Sequence, residues 1–292
     1  MADGTGGPIP RARRFEFPEA ALILLGGGTT LALLATCHGL STVLVEVQAA
    51  TLLYAAFLLF CRGRWGRSGQ SISWLGSYAF VVWFYCAVFR ITPALGSPLR
   101  DPVLLALDEE MFGQTPAKFC ETVATPWLTD LLSLCYLTYH LYLFVAVVHA
   151  VRVPNQAHQR LSTILFTGFA IGFAGYLLVP AVGPAAAFPA LFHGALPGGT
   201  IWKFTGAIIE EGSSRYDVFP SLHILITCIL LDHDWREFRR RFWLMIVPVL
   251  GLMVSTIYLR YHYGVDLLAG FLLFLALRAC LKIRTGNAGL SA

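Results

Sequence analysis

Residues 255–277 read STIYLRYHYGVDLLAGFLLFLAL, and they place a histidine and a carboxylate directly before a long apolar run. His262 and Asp266 stand four residues apart, a spacing that puts both side chains on one face of a helix. Such a carboxylate can accept a hydrogen bond from one imidazole nitrogen and leave the other nitrogen free as a nucleophile. A His-x-x-x-Asp string also arises by chance, so the pair alone is a hypothesis.

The apolar character of this stretch extends over the whole chain. Of its 292 residues, 57% are hydrophobic and 13% are charged, against about a quarter charged in soluble domains. This composition excludes a disordered chain, a collagen-like fibre and most soluble enzymes, and it predicts a polytopic membrane protein. The net charge of +4 is too small to indicate a nucleic-acid partner. Seven cysteines without a Cys-x-x-Cys pair argue against a zinc site or a disulfide framework.

Eight apolar segments predict an all-α bundle of about eight transmembrane helices. Their approximate bounds are 20–38, 43–60, 72–91, 127–150, 161–180, 219–231, 242–259 and 262–281. A span needs about 20 apolar residues, and the sixth segment is shorter than that. We therefore expect one end of this helix to be shielded by protein rather than lipid.

The basic residues predict the orientation of the bundle. With a cytoplasmic N-terminus, 15 of the 21 lysines and arginines fall in cytoplasmic segments, as the positive-inside rule requires. Both termini are therefore predicted to be cytoplasmic, since a seven-span arrangement would place the basic C-terminal tail outside. The basic residues on the other side are Arg90, Arg100, Lys118, Lys203, Arg215 and Arg260.

A second histidine falls on the same predicted side of the membrane. His223 stands in DVFPSLHILIT, where Pro220 suits the first turn of a helix. The free N–H groups from Ser221 onward, together with the serine hydroxyl, form a ready anion site. The orientation puts His223 and His262 at the extracytoplasmic ends of spans six and eight, so we expect them to converge with Asp266. The alternative is that each residue caps a helix or bonds a neighbour.

Other polar groups are expected to be structural. The loop at 92–126 contains LDEEMFG, which predicts a short amphipathic helix on the membrane surface with its acidic residues on a solvated face. These acidic residues are Asp108, Glu109 and Glu110. Six histidines have no companion at a useful spacing, and we expect them to make polar contacts in the bundle or to lie in loops. They are His38, His140, His149, His158, His193 and His233.

Two of these strings resemble signatures of the type 2 phosphatidic acid phosphatase (PAP2) superfamily. PSLH at 220–223 is similar to the second signature, usually Pro-Ser-Gly-His, with Leu222 in place of the glycine. STIYLRYHYGVD at 255–266 is similar to the third signature, which has Ser-Arg, five residues, His, three residues and Asp. LDEEMFG and YLLVPAVGPAAAFP resemble the branch that includes inositol phosphorylceramide synthases.

The resemblance covers about 160–281 closely and implies a six-helix core. The expected organisation is a cytoplasmic tail at 1–19, a transmembrane hairpin at 20–71, a catalytic membrane domain at 72–284 and a cytoplasmic tail at 285–292. The resemblance also implies phosphoryl transfer through a phosphohistidine. His262 would be the nucleophile, Asp266 would orient it and His223 would protonate the leaving group. The substrate would be a lipid phosphate or phospholipid, and no metal or other cofactor is expected.

The phosphate-binding cations of the family are missing from their usual places. The first signature, a Lys followed by Arg-Pro, is not found, and Thr256 occupies the place of the Arg in the third. The nearest candidates for substrate binding are Ser221, Arg215, Arg260 and Lys203.

The sequence leaves several alternatives open. Water as acceptor would make the protein a lipid phosphatase, whereas an alcohol such as a ceramide or a polyol would make it a phosphotransferase. A non-catalytic membrane scaffold on the same fold is compatible with the missing cations. A transporter with a histidine proton relay would need charges across the full membrane depth, and the candidate residues lie at one face. The oligomeric state is not predicted.

Overall fold

The structure, a computed structural model, describes residues 17–36, 41–62 and 66–286. Within these residues the chain forms helices and connecting loops, without a strand, as the sequence predicts. The helices are α1 (Phe17–Thr36), α2 (Thr42–Arg62), α3 (Gly66–Leu95), α4 (Asp101–Phe112), α5 (Pro116–Cys120), α6 (Pro126–Arg152), α7 (Gln156–Leu178), α8 (Pro184–Ala187), α9 (Thr200–Gly212), α10 (Leu222–Glu237), α11 (Arg239–Tyr258) and α12 (Gly264–Gly286). Two 3-10 turns cover Glu121–Val123 and Pro189–Leu191. The N-terminal tail to residue 16, the last six residues and His38 lie outside the described residues.

Among the described residues, seven helices are long and apolar enough to cross a membrane. They correspond to seven of the eight predicted segments and lie at Pro18–Thr36, Thr42–Cys61, Ser71–Leu95, Pro126–Arg152, Gln156–Leu178, Arg239–Tyr258 and Gly264–Leu281. The fifth begins earlier than predicted because Asn155 caps it, its side chain accepting a 2.9 Å hydrogen bond from the His158 N–H. The polar turn that follows Asn155 is therefore helical.

The sixth predicted segment is the short helix α10, with only 16 residues. It begins at Leu222 rather than at 219, because Pro220 precedes the N-cap Ser221 instead of lying in the first helical turn. Its side chains are buried continuously from Leu222 to Leu231. The helix packs against α6, α7, α11 and α12, so protein shields its first part, as the sequence predicts for one end of this helix, whereas Trp235 near the other end is exposed.

A row of glycines on α7 lets α10 pack this closely. A Cβ on Gly172 would lie 2.3 Å from a methyl carbon of Leu222, and one on Gly175 would lie 2.2 Å from the Pro220 ring. Small residues at such spacing allow two membrane helices to approach. Leu222, which stands where the family signature has glycine, is therefore accommodated by the missing side chain of Gly172.

The two ends of α10 carry different polar groups. His223 lies in its first turn, and Asp234 lies near its last turn, where the carboxylate pairs with Arg241 at 2.5 Å and accepts a 2.7 Å hydrogen bond from the Tyr142 hydroxyl. Three histidines that the sequence spacing treats as isolated pack around Phe238 at this end: His149, His158 and His233. The helix thus separates the His223 site from a basic end of the bundle.

Candidate active site

His262 and Asp266 form a buried pair at the turn between α11 and α12. The Nδ1 atom of His262 lies 3.1 and 3.2 Å from the two carboxylate oxygens of Asp266. The Tyr263 N–H donates to the same carboxylate at 2.9 Å, which fixes its orientation. Burial disfavours the charged imidazole, but the charge and hydrogen bond of Asp266 outweigh it and raise the pKa of His262. The predicted pair is therefore present, although His262 lies in the turn before α12 and not on a helical face shared with Asp266.

His223 meets this pair from the first turn of α10. The ring centres of His223 and His262 are 5.2 Å apart, with the planes 77° apart. Tyr136 and Tyr139 of α6 flank the His223 ring at 4.9 and 4.6 Å between centres. Its Nδ1 atom is buried and has no hydrogen-bond partner among the described residues. The geometry brings both predicted histidines and the carboxylate together.

Ser221 brings the N-terminus of α10 to the same place. Its backbone N–H donates to the Asp266 carbonyl at 3.2 Å, which ties α10 to the first turn of α12. The approach requires Gly270, since a Cβ there would lie 2.5 Å from the Ser221 carbonyl oxygen. The buried Ser221 hydroxyl has no partner among the described groups. A helix N-terminus with an uncommitted hydroxyl suits an anion.

A family model described as the PAP2 superfamily matches residues 102–280, more than half of the chain. The chain belongs to the PAP2 superfamily. Comparison with curated proteins and with solved structures gave no match. Membership in the PAP2 superfamily supports phosphatase- or phosphotransferase-type chemistry in general. The resemblance drawn from the two signatures is confirmed at the level of the superfamily.

The departure from the third PAP2 signature has a structural counterpart at Thr256. Its hydroxyl donates to the Met253 carbonyl at 2.8 Å. Its carbonyl accepts hydrogen bonds from the Tyr261 and His262 N–H groups, both at 3.1 Å. The residue in place of the signature arginine therefore holds the turn that carries His262, but it supplies no positive charge.

Arg260 is held by other protein groups. Its guanidinium donates to Glu121 at 3.0 Å and to the Gly194 carbonyl at 2.7 Å, and it stacks on Phe192 at 4.1 Å from the ring centre. Burial opposes ionisation of Glu121, but hydrogen bonds from His193 and Lys118 outweigh it and lower the pKa of Glu121 to about 2. Arg260 thus faces a stable negative charge on Glu121.

The other two predicted cations are exposed. Arg215 has a left-handed backbone with a φ of 62°, and its guanidinium lies over Phe89, 5.4 Å from the ring centre. Lys203 lies on the exposed side of α9. None of the contacts among the described residues joins Arg215, Arg260 or Lys203 to either histidine. Their role in binding phosphate stays a prediction.

Asp217 is a second carboxylate at the site that the sequence reasoning missed. Tyr85 of α3 donates to it at 2.5 Å, and its charge contributes to the raised pKa of His262. The backbone of the next residue, Val218, also contributes to the raised pKa of His262. Asp217 lies four residues before Ser221, so the string around the second signature already contained it.

Two further aspartates, both on α4, hold the residues between His262 and Asp266 in place. Asp108 accepts hydrogen bonds from the Gly264 and Val265 N–H groups at 3.1 and 2.9 Å, which caps the start of α12. Asp101 accepts from the Tyr263 hydroxyl at 2.9 Å. The predicted solvated face is therefore wrong for Asp108, which is fully buried, although Glu109 and Glu110 are exposed. The seven-residue spacing of Asp101 and Asp108, which shares a helical face, was the available signal.

In the described part of the chain, no three side chains of His, Cys, Asp or Glu converge in a way that could hold a metal ion. The polar groups at the site are imidazoles, carboxylates, hydroxyls and backbone N–H groups. Such groups can perform proton transfer and nucleophilic attack.

Proposed function

We propose that the protein transfers a phosphoryl group from a lipid phosphate or phosphodiester through a phosphohistidine at His262. The observation that carries this proposal is the pairing of two buried imidazoles, 5.2 Å apart between ring centres, one of which is bonded by Asp266 through Nδ1. This arrangement leaves the Nε2 lone pair of a neutral His262 as the nucleophile. The general phosphatase-type chemistry of the PAP2 superfamily agrees with it.

The reaction has two half-steps that balance in protons. In the first, Nε2 of His262 forms a bond to phosphorus as the bond to the leaving oxygen breaks, and His223 as imidazolium donates its proton to that oxygen. In the second, neutral His223 takes a proton from the acceptor hydroxyl, whose oxygen attacks phosphorus as the P–N bond breaks. Asp266 holds the imidazole and stabilises its positive charge throughout.

The charge on phosphate oxygens needs donors in place of the missing signature cations. We assign this role to the N–H groups in the first turn of α10 and to the Ser221 hydroxyl. Arg215 is the cation we favour, because its loop also carries Asp217 and its side chain is exposed. Arg260 and Lys203 are the further candidates, and Arg260 would first have to exchange its contact with Glu121.

An alcohol is the acceptor that we favour over water. LDEEMFG and YLLVPAVGPAAAFP resemble the inositol phosphorylceramide synthase branch, and both segments take part in holding the site. The first contributes Asp108 at the start of α12. The second contributes the Val182 and Gly183 N–H groups, which donate to Asp101 at 2.9–3.1 Å. Product analysis with water, ceramide and inositol lipids as competing acceptors distinguishes transfer from hydrolysis.

The reaction is tested with purified protein and labelled phosphatidic acid or phospholipid. We expect His262→Ala to abolish both turnover and the acid-labile phosphoenzyme, and His223→Ala to slow its release so that phosphoenzyme accumulates. His149→Ala, which removes a histidine at the other end of the bundle, beside Phe238, is the matched control and should retain turnover. Undiminished turnover in His262→Ala would refute the mechanism, and no turnover of any phospholipid by folded wild-type protein would favour the scaffold alternative.

We further propose that the site faces the extracytoplasmic side and that both termini are cytoplasmic. The support is the excess of basic residues in the segments assigned to the cytoplasm. Arg215→Cys and Arg160→Cys place thiols at two exposed positions on opposite predicted sides. An impermeant maleimide should label Arg215→Cys in intact cells and Arg160→Cys only after permeabilisation. The reverse pattern, read against the wild-type cysteines, would overturn the orientation.

A further inference from the structure

The turn between α10 and α11 forms a basic groove at the end of the bundle opposite the histidine pair. The groove has a volume of about 450 Å³. Its lining residues are Glu237, Phe238, Arg239, Arg240 and Arg241. Arg236 and Arg278 lie beside it and share Asp232 at 2.7 and 3.1 Å. Together, five arginines stand against the carboxylates of Asp232, Asp234 and Glu237, which leaves a net positive charge.

Two of the arginines in the groove are available to a ligand. Arg241 is committed, because it pairs with the buried Asp234 through two nitrogens at 2.5 and 2.6 Å. The guanidinium of Arg239 lies over Trp235, 3.4 Å from the ring centre. Arg240 is exposed, and no ion pair within the described residues engages it. Within the described residues, neither Arg239 nor Arg240 thus forms an ion pair with a carboxylate.

The groove lies at the depth of lipid headgroups. The span Arg239–Tyr258 starts at the groove itself. Its next turns expose Trp243, Leu244 and Val247 by 64%, 72% and 72%, which makes an apolar surface suited to acyl chains. Tryptophan is enriched where membrane helices meet the headgroup layer. A ligand in the groove would therefore have its charge beside Arg239 and Arg240 and its apolar part along α11.

We propose that this groove binds the phosphate of an anionic phospholipid through Arg239 and Arg240, with its acyl chains on the exposed face of α11. Guanidinium groups bind phosphate oxygens bidentately, and the exposed apolar side chains select a lipid over a free phosphate. The site is distinct from the histidine pair, so it does not depend on the proposed reaction. It is the kind of site expected where basic residues flank a membrane span.

The test is competitive quenching of tryptophan fluorescence in the reconstituted full chain. Vesicles of phosphatidylcholine receive brominated phosphatidylglycerol or brominated phosphatidylcholine, and the ratio of quenching gives the selectivity for the anionic lipid. We expect Arg240→Gln to weaken that selectivity about fivefold, the effect of one cation near the membrane surface. Arg160→Gln is the matched control, since it removes an exposed arginine from α7 at the same end of the bundle.

Three outcomes decide the proposal. Selectivity that falls in Arg240→Gln and persists in Arg160→Gln supports it. Equal selectivity in wild type and Arg240→Gln, or an equal loss in the control, overturns it, because the charge would then act without a defined site. Inorganic phosphate is added in a separate arm, and loss of selectivity at a concentration matched to the lipid would overturn the assignment to a lipid ligand.

Discussion

Asp108→Asn tests whether α4 positions the start of α12. In the wild type, one carboxylate oxygen accepts from the Thr115 hydroxyl at 2.7 Å and from the Gly264 N–H at 3.1 Å, and the other accepts from the Val265 N–H at 2.9 Å. Asparagine has nearly the same size but replaces one of these oxygens with an NH₂ group. At least one buried donor must therefore lose its acceptor.

The magnitude of the loss follows from these contacts. A buried donor left without an acceptor costs about 1–3 kcal/mol. Removal of a negative charge at a helix N-terminus costs about 0.3–1 kcal/mol more. We therefore expect Asp108→Asn to destabilise the protein by about 1.3–4 kcal/mol, which lowers the melting temperature by about 3–16 °C.

The assay is thermal unfolding in detergent, followed with a thiol-reactive dye. Cys228 is buried on α10, so its reaction reports the opening of the bundle around this helix. Glu109→Gln is the control, because it neutralises the adjacent, exposed carboxylate of the same helix. An exposed substitution should change stability by less than about 0.5 kcal/mol. Equal melting temperatures for Asp108→Asn and Glu109→Gln would refute the capping role of Asp108.

Three further predictions concern the site and its supporting turn. Asp266→Asn should lower turnover roughly 10³–10⁴-fold, because an amide favours the wrong imidazole tautomer; initial rates near the wild-type value would contradict this. Asp217→Asn should lower the pKa of His262, because the charge of Asp217 contributes to raising it. Since the neutral form of His262 attacks, the acid limb of the kcat/KM profile should move to lower pH. An unmoved acid limb would refute an effect of Asp217 on His262. Gly183→Ala should lower the melting temperature, since φ is 86° and the added Cβ would lie 2.3 Å from a backbone oxygen, whereas Gly206→Ala meets nothing within 4 Å and should not.

Local patterns in the sequence were enough to predict the helical bundle and the residues at the centre of the site. Apolar length identified seven helices because the lipid environment imposes both length and composition on a span. The i, i+4 spacing identified His262 and Asp266 because few residues separate the two, so that the turn before α12 can bring their side chains together. The convergence of His223 followed from orientation, which placed the starts of spans six and eight on the same side.

The residues that hold the site in place could not be predicted from local patterns in the sequence. Asp101 and Asp108 act on α12 across more than 150 residues of sequence, and an acidic run ahead of a loop has the same composition whether its face is buried or solvated. Arg260 looked available because its partner, Glu121, comes from another loop. Asp217 was visible in the string, but its approach to Tyr85 depends on how α3 packs against the loop before α10.

On the proposed function, the length of α10 would set how far a substrate must descend from the membrane surface. Its 16 residues rise about 24 Å, whereas the hydrocarbon layer is about 30 Å thick. With the arginine end in the headgroup layer, the His223 end stops about 6 Å short of the opposite boundary. A phosphate there is removed from bulk water, which makes its charge costly to bury and each donated hydrogen bond stronger. A molecule with acyl chains is held at that depth by its own anchor, whereas a soluble phosphate ester must give up its hydration without any such compensation.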